Sequence, residues 1–195
     1  MHNEQWSASH GGVEVKGFVK YWLLISKYLA WPFIKLRISP NLISFLSVLV
    51  SIPLINQPNL WWLVVVALIL DGIDGAVALG LNKASKLGAL VDSICDRVVE
   101  FIWAIALYGI GLNFTQIFIF IGAAWLQEYL RARAGGLGFN EIGIVTISER
   151  PTRAIFIALA LLITTYSGQI LIAAIVVQII SLLMLARVIN KSLAN

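Results

Sequence analysis

The sequence predicts an all-α integral membrane protein, in which an amphipathic interfacial helix precedes six transmembrane helices and both termini are cytoplasmic. Its 195 residues are 59% hydrophobic and only 12% charged, about half the charged share of a typical soluble domain. The charged residues are also confined to alternate connections between the apolar segments. These two observations predict the fold class. The single cysteine, Cys95, excludes an intramolecular disulfide.

The N-terminal part divides into a polar tail over residues 1–15 and an amphipathic helix over residues 16–37. In the second segment four lysines are interspersed with aromatic residues, and Lys27 and Pro32 near its middle argue against a membrane crossing. A helix in the membrane interface, with aromatic side chains inward and lysines toward anionic headgroups, fits this pattern better. The alternative is a seventh, poorly apolar span. Residues 38–195 form the predicted transmembrane domain.

Six apolar segments follow, separated by polar or charged breaks. Each is close to the ~20 residues that cross a bilayer as a helix, although the first and fifth are short. The fifth begins with a proline, a residue that suits the first turn of a helix. The predicted spans are Ser39–Ile55, a segment starting near Leu60, and about Gly88–Ile110, Phe114–Arg131, Pro151–Tyr166 and Gln169–Ala186.

The charge of the connections predicts the orientation. The connections QPN, GIGLN and TYSGQ carry no charge, whereas every Lys, Arg, Asp and Glu lies in the regions that six crossings place on the other side. Because Lys and Arg accumulate in cytoplasmic loops, we expect a multi-pass protein of the cell's inner (plasma) membrane whose charged side faces the cytoplasm. The net charge of +4 therefore reflects topology and membrane lipid, and no nucleic acid partner is expected.

Four aspartates stand out because a carboxylate inside a membrane is costly. Asp71 and Asp74 are three positions apart and share one helical face. Asp92 and Asp96, four positions apart, share a face of the next helix, which runs antiparallel to the first. Crowded carboxylates need cations to stay ionised, and oxygen ligands favour hard divalent ions. We therefore predict two divalent cations, Mg²⁺ or Mn²⁺, as used in phosphoryl transfer.

These aspartates belong to a longer pattern, Asp71-x2-Asp74-Gly75-x2-Ala78-Leu79-x8-Gly88-x3-Asp92-x3-Asp96. It resembles the signature of the CDP-alcohol phosphotransferase family, D-x2-D-G-x2-A-R-x8-G-x3-D-x3-D, and seven of the eight defined positions match. The six predicted spans and the amphipathic lead-in helix are also similar to that family. Leu79 stands where the signature has arginine, a residue expected to help fix the donor's phosphates or the surrounding acids.

The resemblance implies transfer of a phosphatidyl group from CDP-diacylglycerol to a small acceptor alcohol, with release of CMP, by a homodimeric enzyme of phospholipid biosynthesis. It implies that Asp71, Asp74, Asp92 and Asp96 bind the metal ions. It also implies that Asp96 is the base that takes the proton of the acceptor hydroxyl. The residues expected along the bound donor are Asn41, Ser44, Gly75, Ala78, Ser85 and Gly88.

A second charged cluster is expected to bind the acceptor. Glu128 and Arg131 lie one helical turn apart, which indicates a structured face, and several arginines at one depth can form an anion site. The sequence RARAGGLG is similar to actinobacterial-type phosphatidylinositol-phosphate and phosphatidylglycerophosphate synthases. We therefore expect an acceptor that carries a phosphate, with glycerol 3-phosphate favoured over inositol phosphate. The candidate phosphate ligands are Arg131, Arg133, Arg150 and Arg153.

Two alternatives remain from the sequence. Leu79 leaves open a family member that has lost activity or changed its substrate. Acids within a membrane are also typical of cation transporters. A transporter, however, needs polar residues continuing to the outer side, whereas the outer halves of spans two and three read WWLVVV and FIWAIALYGI.

Overall fold

The computed structural model describes residues 26, 28–137 and 146–193, and the regular structure in these ranges is entirely helical. The predicted all-α class is confirmed for this part of the chain. Two 3₁₀ turns, Ile52–Ile55 and Thr164–Tyr166, continue the second and sixth helices. The α-helices are α1 Tyr28–Lys35, α2 Pro40–Ser51, α3 Trp62–Gly80, α4 Lys86–Gly109, α5 Phe114–Gly136, α6 Arg150–Leu162 and α7 Ser167–Leu193.

The predicted N-terminal tail lies outside the described residues, as does most of the first half of the predicted amphipathic helix. Within the described half, α1 has one buried and one exposed side. Ala30 is buried, whereas Tyr28 and Trp31 are 79% and 60% exposed. The Lys35 ammonium lies 5.0 Å from the centroid of the Trp31 ring, a cation–π contact. The amphipathic character of the segment and its place in the membrane interface stay predictions.

Two described helices are long and apolar enough to cross a membrane on their own, Trp62–Gly80 and Thr164–Lys191. A third crossing results if Tyr28–Lys35 and Pro40–Ile55, which are bent by 115° with respect to each other, count as one span. Helices α4 and α5 carry charged side chains, and α6 has only 13 residues. All six predicted spans are helical in the structure. The six crossings and the cytoplasmic termini stay predictions.

Large apolar side chains lie on the outside of the longest helices. Helix α5 exposes Phe114 and Phe118, each by about two thirds of its surface. Contiguous apolar surface of this kind is unfavourable in water and is expected where a helix faces lipid. This surface agrees with an integral membrane protein. On α7 the exposed side chains are Ile172, Val176, Ile179, Ile180 and Leu183.

The described residues divide into two compact units, one within the ranges 1–52 and 66–99 and the other within 53–65 and 100–195. In the first unit a small apolar core joins α1, α2 and the second half of α3, and its buried members are Ala30, Ile43, Ile73, Ala76 and Val77. Gly80 allows α1 to approach α3 closely, because a Cβ at this position would lie 2.5 Å from Ile34 Cδ1. The first unit carries all four signature aspartates.

In the second unit α7 packs against both α5 and α6. Polar side chains, rather than apolar ones alone, link these helices. Gln178 on α7 donates from Nε2 to Gln127 Oε1 on α5 at 3.0 Å, and both side chains are fully buried. Buried amides that bond to each other avoid the cost of an unsatisfied polar group, so this pair fixes the register of α5 on α7. The four predicted arginines lie in this unit.

Candidate functional site

Three of the signature aspartates converge in the first unit. One carboxylate oxygen each from Asp71, Asp74 and Asp92 can be chosen so that all three lie within 4.8 Å of one another. Asp74 is 6% exposed and the other two are half-buried. Three converging carboxylates of this kind suit a hard divalent cation. The three residues present therefore fit a metal ion.

Asp96 is not a member of this group of three. It lies on α4 one turn beyond Asp92, and its Oδ2 is 3.8 Å from a terminal nitrogen of Arg97. Its side chain is 17% exposed, so it stays accessible to a reactant. The predicted second cation, and the predicted roles of Asp96 as ligand and base, stay predictions.

Ser44 contacts one of the acids directly. Its hydroxyl donates a hydrogen bond to Asp74 Oδ2 at 2.5 Å, and both side chains are buried. The sequence predicts Ser44 as a residue along the donor nucleotide, whereas its observed partner is a candidate metal ligand. Groups that bind a ligand's carboxylate from behind orient it toward the metal. Ser44 is therefore placed to orient Asp74.

The predicted donor residues on α2 and at the start of α4 lie together. Ser85 Oγ accepts a hydrogen bond from the Gly88 N–H at 3.0 Å, which caps the first turn of α4. A Cβ at Gly88 would lie 3.2 Å from that Oγ and 3.4 Å from Asn41 Oδ1. A Cβ at Gly75, in contrast, would meet nothing within 4 Å, and Ala78 is half-buried. The space above Gly75 is compatible with a ligand.

In the second unit Arg131 is held by two acids. Its two terminal nitrogens donate to Glu149 Oε2 and Oε1 at 3.1 and 2.8 Å, the bidentate pairing typical of arginine and carboxylate. One of these nitrogens also donates to Glu128 Oε2, one helical turn earlier, at 3.3 Å. The Arg131 side chain remains 26% exposed. Arg133, two positions along, is exposed.

Arg153 is buried in an ion pair with an acid that the sequence analysis did not select. Its Nε and one terminal nitrogen donate to Glu100 Oε1 at 3.0 and 2.8 Å, and its other terminal nitrogen donates to the Ser148 carbonyl at 2.9 Å. Trp125 Nε1 donates to Glu100 Oε2 at 3.1 Å. The sequence signal that could have identified Glu100 is its place inside an apolar segment. An ionisable residue in such a segment usually has a functional or structural role.

Arg150 is also largely buried, at 8% exposure. Its guanidinium carbon lies 5.9 Å from the centroid of the Trp103 ring, whose side chain is fully buried. A cation over an indole face is stabilised by the ring quadrupole. Trp103 therefore holds Arg150 at the first residue of α6.

Glu149 is ionised more readily than an ordinary glutamate. Burial alone would raise the pKa of Glu149, but hydrogen bonds from Arg131 and from the side chain and backbone of Thr146 outweigh it. The net result is a pKa below the usual value, because these donors stabilise the carboxylate. Arg131 therefore faces a carboxylate that keeps its charge at neutral pH.

Comparison with known proteins identifies the family. The model of the CDP-alcohol phosphatidyltransferase family matches residues 37–187, which is most of the chain and includes both the acidic group and the arginines. The chain belongs to this family. The matched residues begin just before α2 and end within α7.

Several curated proteins are similar in sequence to part of this chain. It is 32% identical to archaetidylinositol phosphate synthase of Aeropyrum pernix over 111 residues, which are 57% of this chain and 57% of the relative. It is 36% identical to CDP-diacylglycerol–serine O-phosphatidyltransferase of Helicobacter pylori over 112 residues, 52% of this chain and 45% of the relative. The chain thus spans about half the length of these two curated relatives.

The fold is also similar to a solved structure, that of Mycobacterium tuberculosis phosphatidylinositol phosphate synthase with CDP-DAG bound. The TM-score is 0.71 at 18% identity, and the match covers 85% of this chain and 93% of that one. At this identity the likeness concerns the fold alone. The fold of this chain therefore agrees with the family assignment made from its sequence.

Proposed function

We propose that this protein is a membrane enzyme that transfers a phosphatidyl group from CDP-diacylglycerol to a small phosphorylated alcohol and releases CMP. The observation that carries the proposal is the group formed by Asp71, Asp74 and Asp92, whose oxygens lie within 4.8 Å of one another at the spacing of the family signature. Such an acidic group in an apolar chain is costly without a ligand. A divalent ion with a pyrophosphate substrate is the ligand chemistry that suits it.

The acceptor that we propose first is an inositol phosphate. The sequence alone favoured glycerol 3-phosphate, but one curated relative is an archaetidylinositol phosphate synthase, which moves inositol phosphate to first place. Glycerol 3-phosphate is the second candidate because it carries the same phosphate. Serine, the acceptor named for another relative, has no phosphate for the arginines to bind.

The proposed reaction is a single displacement at phosphorus. The acceptor hydroxyl oxygen forms a bond to the phosphorus that carries the diacylglycerol, and the bond from that phosphorus to the CMP oxygen breaks. The hydroxyl proton passes to the Asp96 carboxylate, and CMP leaves with the bonding electron pair. A carboxylate within hydrogen-bond reach of the attacking hydroxyl can act as such a base. Asp96 is proposed for this role because it lies outside the group of three and remains partly exposed.

We propose that Asp71, Asp74 and Asp92, together with Asp96, would hold two divalent cations. These cations would be Mg²⁺ or Mn²⁺. When bound, such ions neutralise the pyrophosphate and stabilise the charge that develops on the leaving phosphate. The chain itself contributes the orientation of these ligands. Ser44 supports Asp74, and Gly75 keeps space open for the donor. The other proposed donor contacts are Asn41, Ala78, Ser85 and Gly88.

The arginines of the second unit divide into two groups by their contacts. Arg131, Arg133 and Arg150 are proposed to bind the acceptor phosphate directly, because guanidinium groups pair well with phosphate oxygens. Arg153 is 1% exposed and donates to Glu100 and Ser148. Its proposed contribution to the acceptor site is therefore to hold the start of α6, and with it Arg150, in place.

The finer points of topology are part of the same proposal. We propose six crossings of the inner (plasma) membrane, with α1 in the interface, both termini in the cytoplasm and the acids on the cytoplasmic side. The charge-free connections QPN, GIGLN and TYSGQ support this orientation. We further propose a homodimer, as the family resemblance implies.

The direct test is turnover by purified protein in bilayer nanodiscs containing CDP-diacylglycerol. CMP release and lipid product are measured with Mg²⁺ or with EDTA, and with inositol phosphate, glycerol 3-phosphate or serine as acceptor. We expect metal-dependent CMP release with inositol phosphate, and none from D96N, which should still bind the CDP-lipid. No turnover with any acceptor would favour a non-catalytic family member, the possibility raised by Leu79. Metal uptake into proteoliposomes without turnover would favour a transporter.

A further inference from the structure

The segment that leads into α6, residues 146–149, is irregular but bound on several sides. The Ser148 N–H donates to Ser181 Oγ at 3.1 Å, and Ser148 Oγ donates to Gln178 Oε1 at 2.6 Å. Gln127 Nε2 donates to Thr146 Oγ1 at 3.0 Å and to the Ser148 carbonyl at 3.3 Å. Side chains of α5 and α7 therefore hold this segment where regular backbone hydrogen bonds are missing.

Glu149 occupies the N-cap position of α6, but its side chain makes no capping hydrogen bond there. Instead the carboxylate accepts two hydrogen bonds from Arg131. Its Oε1 also accepts the Thr146 N–H at 2.8 Å and the Thr146 hydroxyl at 2.6 Å. N-cap side chains ordinarily stabilise their own helix. The Glu149 carboxylate does not do so, and it links Arg131 on α5 to Thr146 in the segment before α6.

We propose that Glu149 is a positioning residue for the acceptor-phosphate site: it holds the Arg131 guanidinium in one orientation and fixes the 146–149 segment on which Arg150 follows. This inference rests on the proposed function, since it assigns the phosphate of the acceptor to these arginines. Long flexible side chains lose binding energy when they must be ordered on binding. An Arg131 that is already ordered by a bidentate pair avoids that loss.

If Glu149 acted only through its charge, its removal would change phosphate binding in the opposite direction. The direction of the change in E149Q therefore tests the inference. Glu149 is an anion beside an arginine that is proposed to bind an anion. If its charge were its main influence, E149Q would strengthen phosphate binding by removing repulsion. If its main influence is to order Arg131, E149Q weakens phosphate binding although repulsion is reduced.

The experiment compares E149Q, E149D and T146V with the wild type in nanodiscs, with inositol phosphate as the varied substrate. For E149Q we expect the KM for inositol phosphate to rise about tenfold with kcat changed much less, because misplaced binding groups cost about this much or more. E149D keeps the charge and should recover part of the loss. T146V removes the hydroxyl that donates to Glu149 and should raise KM by a smaller factor, with Glu149 itself intact.

E128Q is the matched control, because Glu128 contacts Arg131 through a single hydrogen bond of 3.3 Å. We expect its KM to change clearly less than that of E149Q. A KM that falls or stays unchanged in E149Q overturns the inference, and so does an equal rise in E128Q. A fall in kcat with unchanged KM also overturns it, because that result indicates a structural role alone.

A second readout separates this inference from the proposed function. Isothermal titration of inositol phosphate into each variant measures acceptor binding without turnover, and the unfolding temperature reports folding. If E149Q does not fold, T146V and E149D decide the outcome through their affinities. Wild-type protein that neither turns over nor binds any phosphorylated acceptor would refute the proposed function. If the wild type binds inositol phosphate and E149Q, E149D and T146V all bind it equally well, the positioning role alone is refuted.

Discussion

Glu100 and Arg153 form a buried ion pair, with side chains 0% and 1% exposed, although 53 positions separate them in the sequence. The other terminal nitrogen of the guanidinium donates to the Ser148 carbonyl. Trp125 donates to the second carboxylate oxygen. Three helices, α4, α5 and α6, therefore meet at one carboxylate, and the start of α6 is fixed by it.

This relationship predicts that E100A destabilises the folded protein strongly. Removing Glu100 deprives the buried Arg153 of its buried partner, and breaking a buried pair in this way costs about 3–5 kcal/mol. We expect a large fall in the unfolding temperature in detergent, measured by tryptophan fluorescence. The double variant E100A/R153A should lose much less than the sum of the two single variants.

The matched control for E100A is E128A, because Glu128 lies 3.6 Å from the same arginine but is 28% exposed. A partly exposed pair contributes about 0–1 kcal/mol, so E128A should unfold near the wild-type temperature. Equal effects of E100A and E128A would show that burial of the Glu100 pair does not determine its contribution.

A second prediction concerns metal affinity and compares two serines on the buried side of α2. Ser44 donates to Asp74, whereas Ser47 donates to the Ser44 carbonyl at 2.7 Å. We expect S44A to weaken Mn²⁺ binding about 10-fold or more, as loss of a group that orients a metal ligand does. S44T should retain binding, since it keeps the hydroxyl.

S47A removes a buried hydroxyl of the same helix without touching an acid, and should leave Mn²⁺ affinity unchanged. Electron paramagnetic resonance of free and bound Mn²⁺ measures this affinity without turnover. Loss of binding in S47A equal to that in S44A would indicate a general disturbance of α2 and would count against the orienting role of Ser44.

The helices and the acidic group could be predicted because they follow local rules. Long apolar segments between charged or polar breaks predict helices, and spacings of three and four residues predict shared helical faces. The same spacing rule puts Glu128 and Arg131 one helical turn apart, and the structure shows a hydrogen bond of 3.3 Å between them. The structure also brings Asp71, Asp74 and Asp92 together across one short loop.

Contacts between distant segments could not be predicted in this way. Ser44 and Asp74 are 30 positions apart and Gln127 and Gln178 are 51 apart, and no periodicity relates residues on different helices. The hydrogen bond from Ser44 to Asp74 could therefore not be expected from the sequence, and the donor contact of Ser44 stays a prediction. The sequence also grouped Arg153 with the exposed Arg133 because residue type alone does not reveal burial.

A third prediction distinguishes two glycines of α3. A Cβ at Gly75 meets nothing within 4 Å, whereas a Cβ at Gly80 would lie 2.5 Å from Ile34 Cδ1. G75A should therefore fold as well as the wild type but raise the KM for CDP-diacylglycerol about tenfold, if the open space belongs to the donor. G80A should lower the unfolding temperature and leave the donor KM nearly unchanged.

Donor titrations and thermal unfolding of the two variants decide between these roles. Because Ile34 meets Gly80 with the flexible end of its side chain, the double variant G80A/I34V should recover part of the stability lost in G80A. An unchanged donor KM in G75A would remove Gly75 from the proposed donor site.

The last prediction concerns pH and the Glu149 carboxylate, whose pKa is lowered by hydrogen bonds from Arg131 and Thr146 against the opposing effect of burial. A lowered pKa in the folded state means that the ionised carboxylate stabilises the fold above the usual glutamate pKa of about 4.3. This stabilisation is lost as the pH falls through the lower, folded-state pKa. We therefore expect the wild type to unfold at a higher temperature than E149Q at pH 7.

The gap between the two unfolding temperatures should stay constant down to about pH 5 and shrink below the usual glutamate pKa. Comparing wild type with E149Q isolates Glu149, because the other carboxylates titrate in both proteins. The measurement is a series of unfolding curves in the same detergent at each pH. A gap that widened on acidification would require a raised pKa of Glu149, and Arg131 would then not be held by an ionised carboxylate.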